Sequence, residues 1–250
     1  MAYSIKTTAR IGGFLYLVNI VFGFFAIGYV PLLLIKAGDA ATTAGNILTH
    51  ELLYRMGLAA HVLILLTNVP LAIVFYRLFK VVSRDISLLL IFFTLVGTAV
   101  EAAGLINEFM PVIMLKGSSA FQTFNAAQLQ SLAYMGQSLE GAGFNLALVF
   151  FGCYGISIGT LICRSRFLPR AIGLFMILGG SCYVFNSFAT FLAPAFANRL
   201  VPYIQAPSGL AELSLCLWLL IAGVNRKGWE EQQDVYKNGS AVCLPKDAVC

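Results

Sequence analysis

Charge is scarce in this chain of 250 residues. Asp, Glu, Lys and Arg together make up 11% of it, against about a quarter in soluble domains. The shortage excludes ordinary water-soluble enzymes and nucleic-acid binders. A hydrophobic content of 59% is more than a soluble core of this size can hide, and it excludes disorder as well. Histidine is nearly absent, with two residues, so a metal or haem site would be short of ligands. There is no CxxC pair, phosphate loop, dinucleotide fingerprint or recognisable Ser–His–Asp spacing. No cofactor, no metal and no nucleic-acid partner is expected. Of the six cysteines, Cys153, Cys163, Cys182 and Cys216 fall in apolar runs, and Cys243 and Cys250 fall in a polar end. A cytoplasmic tail is reducing, so no structural disulfide is expected at Cys243 and Cys250.

What the chain has instead is length of apolar sequence, with a mean hydropathy of +0.85. A helix needs about 20 apolar residues to cross a bilayer. Six runs meet or approach that length: Ile11–Leu34, Leu58–Tyr76, Ile86–Leu115, Leu129–Cys163, Ala171–Leu192 and Gln205–Val224. They are continuous and far longer than the roughly ten-residue alternating strands of a membrane barrel. The fold expected is an all-α integral membrane bundle of six transmembrane helices over 1–227. A polar, disordered cytoplasmic tail is expected over 228–250. Pro70 is expected to kink the second helix and Pro207 to stand in the first turn of the sixth.

Orientation follows from the basic residues, which favour the cytoplasmic side. Lys36, Arg55, Lys116 and Arg199 lie on one side, and the other twelve of the sixteen Lys and Arg lie on the opposite one. Both termini are therefore expected in the cytoplasm, and the protein in the cell's inner (plasma) membrane with the lipid bilayer as its main partner.

Ionisable groups inside a bilayer are expensive and call for an explanation. At 1.5 Å of rise per residue, Glu101, His61 and Asn186 each stand about 22 Å above the cytoplasmic edge, and Glu212 about 18 Å. Asn145 comes out at about 27 Å, with Gln137 and Glu140 higher still. Glu108 follows Glu101 by seven residues, on the same face. Thr94, Gly97, Thr98, Glu101, Gly104 and Glu108 form a small and polar stripe that faces other helices or water rather than lipid. Asn19 and Asn68 form a lower, amide-only level suited to bridging helices.

These heights suggest a polar pocket that opens outward. His61, Glu101, Asn186 and Glu212 would form its floor, and Arg55, Glu108, Gln137, Glu140 and Asn145 would line its mouth. The favoured function is to bind or move a small lipophilic or cationic solute there, a small molecule being the expected ligand. One alternative is an intramembrane acid/base enzyme of isomerase or cyclase type, with Glu101 and Glu212 as candidate catalytic residues. Another is a structural or regulatory membrane protein with no small-molecule site, in which Glu101 tethers helices and His61 is a hydrogen-bonded packing residue. Gly155-xxx-Gly159 reads as internal helix packing rather than a dimer interface.

Several stretches carry a family likeness. They are Ala9-Arg10-Ile11-Gly12-Gly13-Phe14-Leu15-Tyr16-Leu17, Tyr76-Arg77-Leu78-Phe79-Lys80, Arg164-Ser165-Arg166-Phe167-Leu168-Pro169-Arg170, and Glu212-Leu213-Ser214-Leu215-Cys216-Leu217-Trp218-Leu219-Leu220. The chain resembles, over about residues 5–227, the bacterial and archaeal domain-of-unknown-function 4386 family. The resemblance implies a multi-pass bacterial membrane protein. It implies no activity, because none is assigned to that family. Arg10, Pro169, Arg170, Glu212 and Trp218 match its pattern, and the cysteine-bearing tail lies outside it.

Overall fold

A computed structural model describes residues 4–116, 121, 123–201 and 203–242. Among the described residues 89% are helical and there are no strands. The helices are α1 (Ile5–Leu34), α2 (Ala40–Thr49), α3 (Glu51–Phe79), α4 (Arg84–Leu115), α5 (Ala126–Arg164), α6 (Arg170–Leu192), α7 (Pro194–Leu200), α8 (Tyr203–Ile221) and α9 (Arg226–Val242). Six of them, α1, α3, α4, α5, α6 and α8, are long and apolar enough to cross a membrane. They coincide with the six apolar runs, the first two starting earlier, at Ile5 and Glu51, and the last ending sooner, at Ile221. The chain is a multi-pass membrane protein. Large apolar side chains such as Phe14, Phe24, Leu32, Leu66 and Phe92 are exposed on the spans, as a lipid-facing surface requires.

Prolines shape three of the spans. Pro31 has no N–H to give to the carbonyl four residues before it. The turn preceding it, Phe24–Tyr29, is a π-helix in which the Val30 N–H bonds to Phe25 O. Pro111 likewise cannot serve the Asn107 carbonyl. The Met110 N–H bonds to it instead, closing the 3-10 turn Ile106–Phe109. α3 runs unbroken through Pro70. Pro207 sits in the first α-turn of α8, as expected.

Inter-residue contacts divide the chain into two compact units. One comprises the segments up to Leu17, Pro70–Thr94, and everything from Phe151 onward. The other comprises Val18–Val69 and Leu95–Phe150. The helices α1, α3, α4 and α5 contribute to both.

In the first unit, Phe75, Leu78, Phe79, Leu90, Ile158, Leu161, Leu215 and Leu219 are fully buried. The Tyr16 ring meets Phe75 edge-on at 5.9 Å, and Phe79 meets Phe167 at 5.7 Å. Helices α5 and α6 touch backbone to backbone: a Cβ on Gly159 would stand 2.5 Å from Gly173 O, and one on Gly180 would stand 2.5 Å from Gly152 O. The glycines of the Gly155-xxx-Gly159 pattern thus serve packing inside the protein, since a Cβ on Gly155 would meet the Gly180 Cα at 3.1 Å.

The expected disordered tail is helical as far as Val242. The Trp229 indole N–H donates to Leu78 O at 3.0 Å, the Gly228 backbone packs on Arg166 O, and Gln232 bonds both Arg164 O and the Arg166 N–H. The Arg226 and Glu230 side chains add an i,i+4 ion pair at 2.7 Å. The charged composition that suggested a solvated end hides one aromatic anchor. Cys243 and Cys250 lie outside the described residues.

In the second unit, Val30, Leu34, Ile47, Tyr54, Leu58 and Leu105 form one buried cluster, and Ala26, Ala60 and Ile64 another. The helix α2 starts at Asp39, whose side chain accepts from the Thr42 N–H at 2.9 Å and from the Thr42 hydroxyl at 2.6 Å. Those two bonds hold the Asp39 carboxyl below the usual carboxylate range, the hydroxyl bond contributing most.

Candidate functional site

The second unit contains a ladder of polar contacts between α3 and α4. Tyr54, His61 and Asn68 are spaced by sevens on α3, so they share one face. At one rung, Asn68 Nδ2 donates to the Thr98 hydroxyl at 3.1 Å. At the next, His61 is held from both ring nitrogens. Its Nε2 is 3.1 Å from Glu101 Oε1 and its Nδ1 is 3.3 Å from Glu108 Oε2. At the third, the Tyr54 hydroxyl donates to Glu108 O at 2.6 Å and accepts from Gln137 Nε2 of α5 at 2.7 Å.

The cluster is dry. His61 is 1% exposed, Glu101 4% and Glu108 8%. Helices α4 and α5 close over it because Gly104 and Gly143 face each other. A Cβ on Gly143 would stand 2.9 Å from the Gly104 Cα. Glu140, half-buried on α5, stands within electrostatic reach of Glu108, His61 and Glu101. Oε2 of Glu101 is buried and has no hydrogen-bond partner.

The charge of this arrangement follows from counting protons. Each of the two hydrogen bonds at His61 needs one proton. An imidazolium between two carboxylates supplies both from the ring. A neutral imidazole supplies one, and a carboxylic acid supplies the other. With those two protons and no other, the three side chains carry one net negative charge; a third proton on either carboxyl group would make them neutral. A buried negative charge is costly unless a positive group compensates it.

The first unit holds Glu212 in different company. It lies beside Tyr183 of α6, and Tyr16 and Tyr154 are also within its electrostatic reach. The Tyr16 and Tyr154 hydroxyls approach each other, but neither completes a hydrogen bond. A small cleft lined by Phe151, Tyr183, Ser208, Glu212 and the glycines of α5 and α6 has room for one water-sized guest, about 10 Å³. Asn186, 1% exposed, belongs to this unit too, with its Oδ1 unpartnered.

The four expected floor residues therefore fall into two groups. His61 and Glu101 are bonded to each other in one unit, and Asn186 and Glu212 belong to the other. Glu108 was placed at the mouth, but it is buried and bonded to His61. Gln137 and Glu140 do join the cluster. Arg55 pairs instead with Glu51 at 2.6 Å, and Glu51 also takes Lys116 at 2.8 Å. Asn145 donates to Gly141 O of its own helix. The two lower asparagines bridge helices: Asn68 reaches Thr98, and the Thr67 hydroxyl reaches Asn19 Oδ1 at 3.1 Å. Sequence reading missed Tyr54, which its seven-residue offset from His61 would have placed on the right face. It also missed Tyr183 and Ser208, which are uncharged and carry no such signal. Among the described residues no group of three or more His, Cys, Asp or Glu is arranged to hold a metal ion.

No curated protein and no solved structure matches the chain. The family model described as domain of unknown function (DUF4386) matches residues 11–223, and the chain belongs to that family.

Proposed function

We propose that the protein binds, and moves, a small cationic solute at the cluster of Tyr54, His61, Glu101, Glu108 and Glu140. The observation that carries this reading is Oε2 of Glu101, a buried carboxylate oxygen with no protein partner. It belongs to a triad that carries one net negative charge when it holds only the two protons its hydrogen bonds need. An ammonium group offers what is missing, a positive charge and N–H donors for a charge-assisted bond. The two carboxylate oxygens that face the His61 ring are already engaged. The buried Leu58 and Leu105, packed with Tyr54, supply neighbouring apolar surface that suits an organic cation with an apolar body. The distribution of Lys and Arg supports entry from the outer side of the plasma membrane.

The test uses the purified protein in lipid nanodiscs at constant ionic strength. Thermal unfolding is followed against a panel of primary and quaternary ammonium ions. At least one member is expected to raise the Tm of the wild type and leave Glu101→Gln unmoved, while that variant still elutes as a single folded species. A wild type that responds to none of them, or a variant that responds equally, overturns the reading.

A further inference from the structure

The ionisable groups around His61 come from three helices. Helix α3 brings Tyr54 and His61, α4 brings Glu101 and Glu108, and α5 brings Glu140. The stretch of α1 packed against α3, residues 22–27, has no ionisable side chain. Helix α2, whose Ile47 packs into the adjoining cluster with Tyr54 and Leu58, has none either. Arg55 and Lys116 are the basic residues closest in sequence to His61 and Glu108, and both are taken by Glu51.

Two protons are fixed by the bonds at His61. A third decides the charge. Without it the triad is anionic in a dry site, and Glu140 stands close enough to add like charge from α5. With it one carboxyl is neutral, and the cost is a hydroxyl short of an acceptor. That cost is far smaller than the cost of an unpaired buried charge. Glu101 is the more deeply buried of the two carboxyls, and its Oε2 is the oxygen without a partner. A proton there and an ammonium ion there use the same oxygen and bring the same single charge. We infer that a proton and an ammonium cation exchange one for one at Glu101 Oε2, so that the cluster is neutral in both forms and cation binding expels a proton. The inference rests on the ammonium reading above. In the exchange the O–H bond of the Glu101 carboxyl breaks and its electron pair stays on Oε2 to face the cation. The proton leaves to water, and the two protons at His61 remain in their bonds.

Linkage fixes the sign. The cation binds the form that lacks the third proton, so its affinity rises with pH. The test uses the purified protein in lipid nanodiscs at constant ionic strength, from pH 6 to pH 9. The probes are ammonium chlorides, butylammonium and tetraethylammonium among them. Binding is followed by the rise in Tm, and proton release by an indicator dye in weakly buffered solution. The apparent Kd is expected to fall by up to about tenfold per pH unit. One proton should appear per cation bound wherever the Kd changes at that rate. Glu101→Gln should release none. Glu51→Gln, which alters a partly exposed carboxylate outside the cluster, should release protons as wild type does. Should Glu101→Gln fail to fold, the wild-type proton count, one against none, decides alone. Binding with a pH-independent Kd and no proton release overturns the exchange and leaves the ammonium reading standing. Release that survives in Glu101→Gln overturns the assignment to Glu101. Absence of a Tm response to every probe at every pH overturns both readings.

Discussion

His61 Nε2 lies 3.1 Å from Glu101 Oε1, with both side chains sealed from solvent. Each is the other's compensation for leaving water. Glu101→Leu removes the acceptor and strands one ring nitrogen of His61. It should lower stability by about 1–3 kcal/mol. Glu101→Gln keeps an oxygen of the same shape in place and should cost less. Thermal or denaturant unfolding of the two variants beside wild type measures the difference. Equal losses would mean that the bond to His61 contributes nothing.

The contact between α5 and α6 is predicted to be the least forgiving in the chain. Gly159→Ala puts a methyl 2.5 Å from a backbone carbonyl, Gly173 O. No rotamer change relieves that clash, so the helices must separate. A loss of about 1–3 kcal/mol is expected. Gly141→Ala, on the same helix with nothing within 4 Å, serves as control and should not lower the melting temperature, since alanine is the better helix former.

Trp229 fixes α9 through its indole N–H on Leu78 O. Trp229→Phe keeps an aromatic ring and loses the bond. Trp229→Ala loses both. Limited proteolysis within Arg226–Val242 should be slow in wild type, faster in Trp229→Phe and fastest in Trp229→Ala. Cleavage at one rate in all three would remove the anchor from the account.

The start of α2 should respond to acid. The Asp39 carboxyl titrates below its ordinary range in the folded chain because Thr42 bonds its ionised form. A lowered folded pKa means that the stabilisation is present above the unfolded pKa. It is lost as pH falls through the folded one. Wild type should therefore lose more stability than Asp39→Asn between pH 6 and pH 3. Parallel melting curves for the two proteins would refute this.

The six spans were legible because hydrophobic length survives any detail of packing. The pairing of His61 with Glu101 was legible as a shared height, because rise per residue is nearly constant in a helix. What height does not encode is azimuth and partner. Asn186 and Glu212 stood at nearly the same level by count, yet belong to a different unit. Arg55 was placed by height alone, whereas Glu51 one turn earlier decides where its side chain goes. Glu108 stands near the mouth by backbone height, but height does not say where a long side chain reaches, and its Oε2 comes to 3.3 Å from His61 Nδ1. The helix α9 escaped notice because its attached face combines one tryptophan with a glycine and a glutamine, and carries little apolar sequence.

That 3-10 turn is set by an atom Pro111 does not have. With alanine at 111, an ordinary α-turn becomes available, its N–H free to bond the Asn107 carbonyl. Each residue of the turn would then advance by about 100° instead of 120°. Glu108 would be turned by some tens of degrees about the helix axis, although neither side chain had been altered. The bearing from which the second carboxylate meets the imidazole is thus tied to the imino acid three positions downstream, and a survey of this cluster confined to its charged residues would overlook that position.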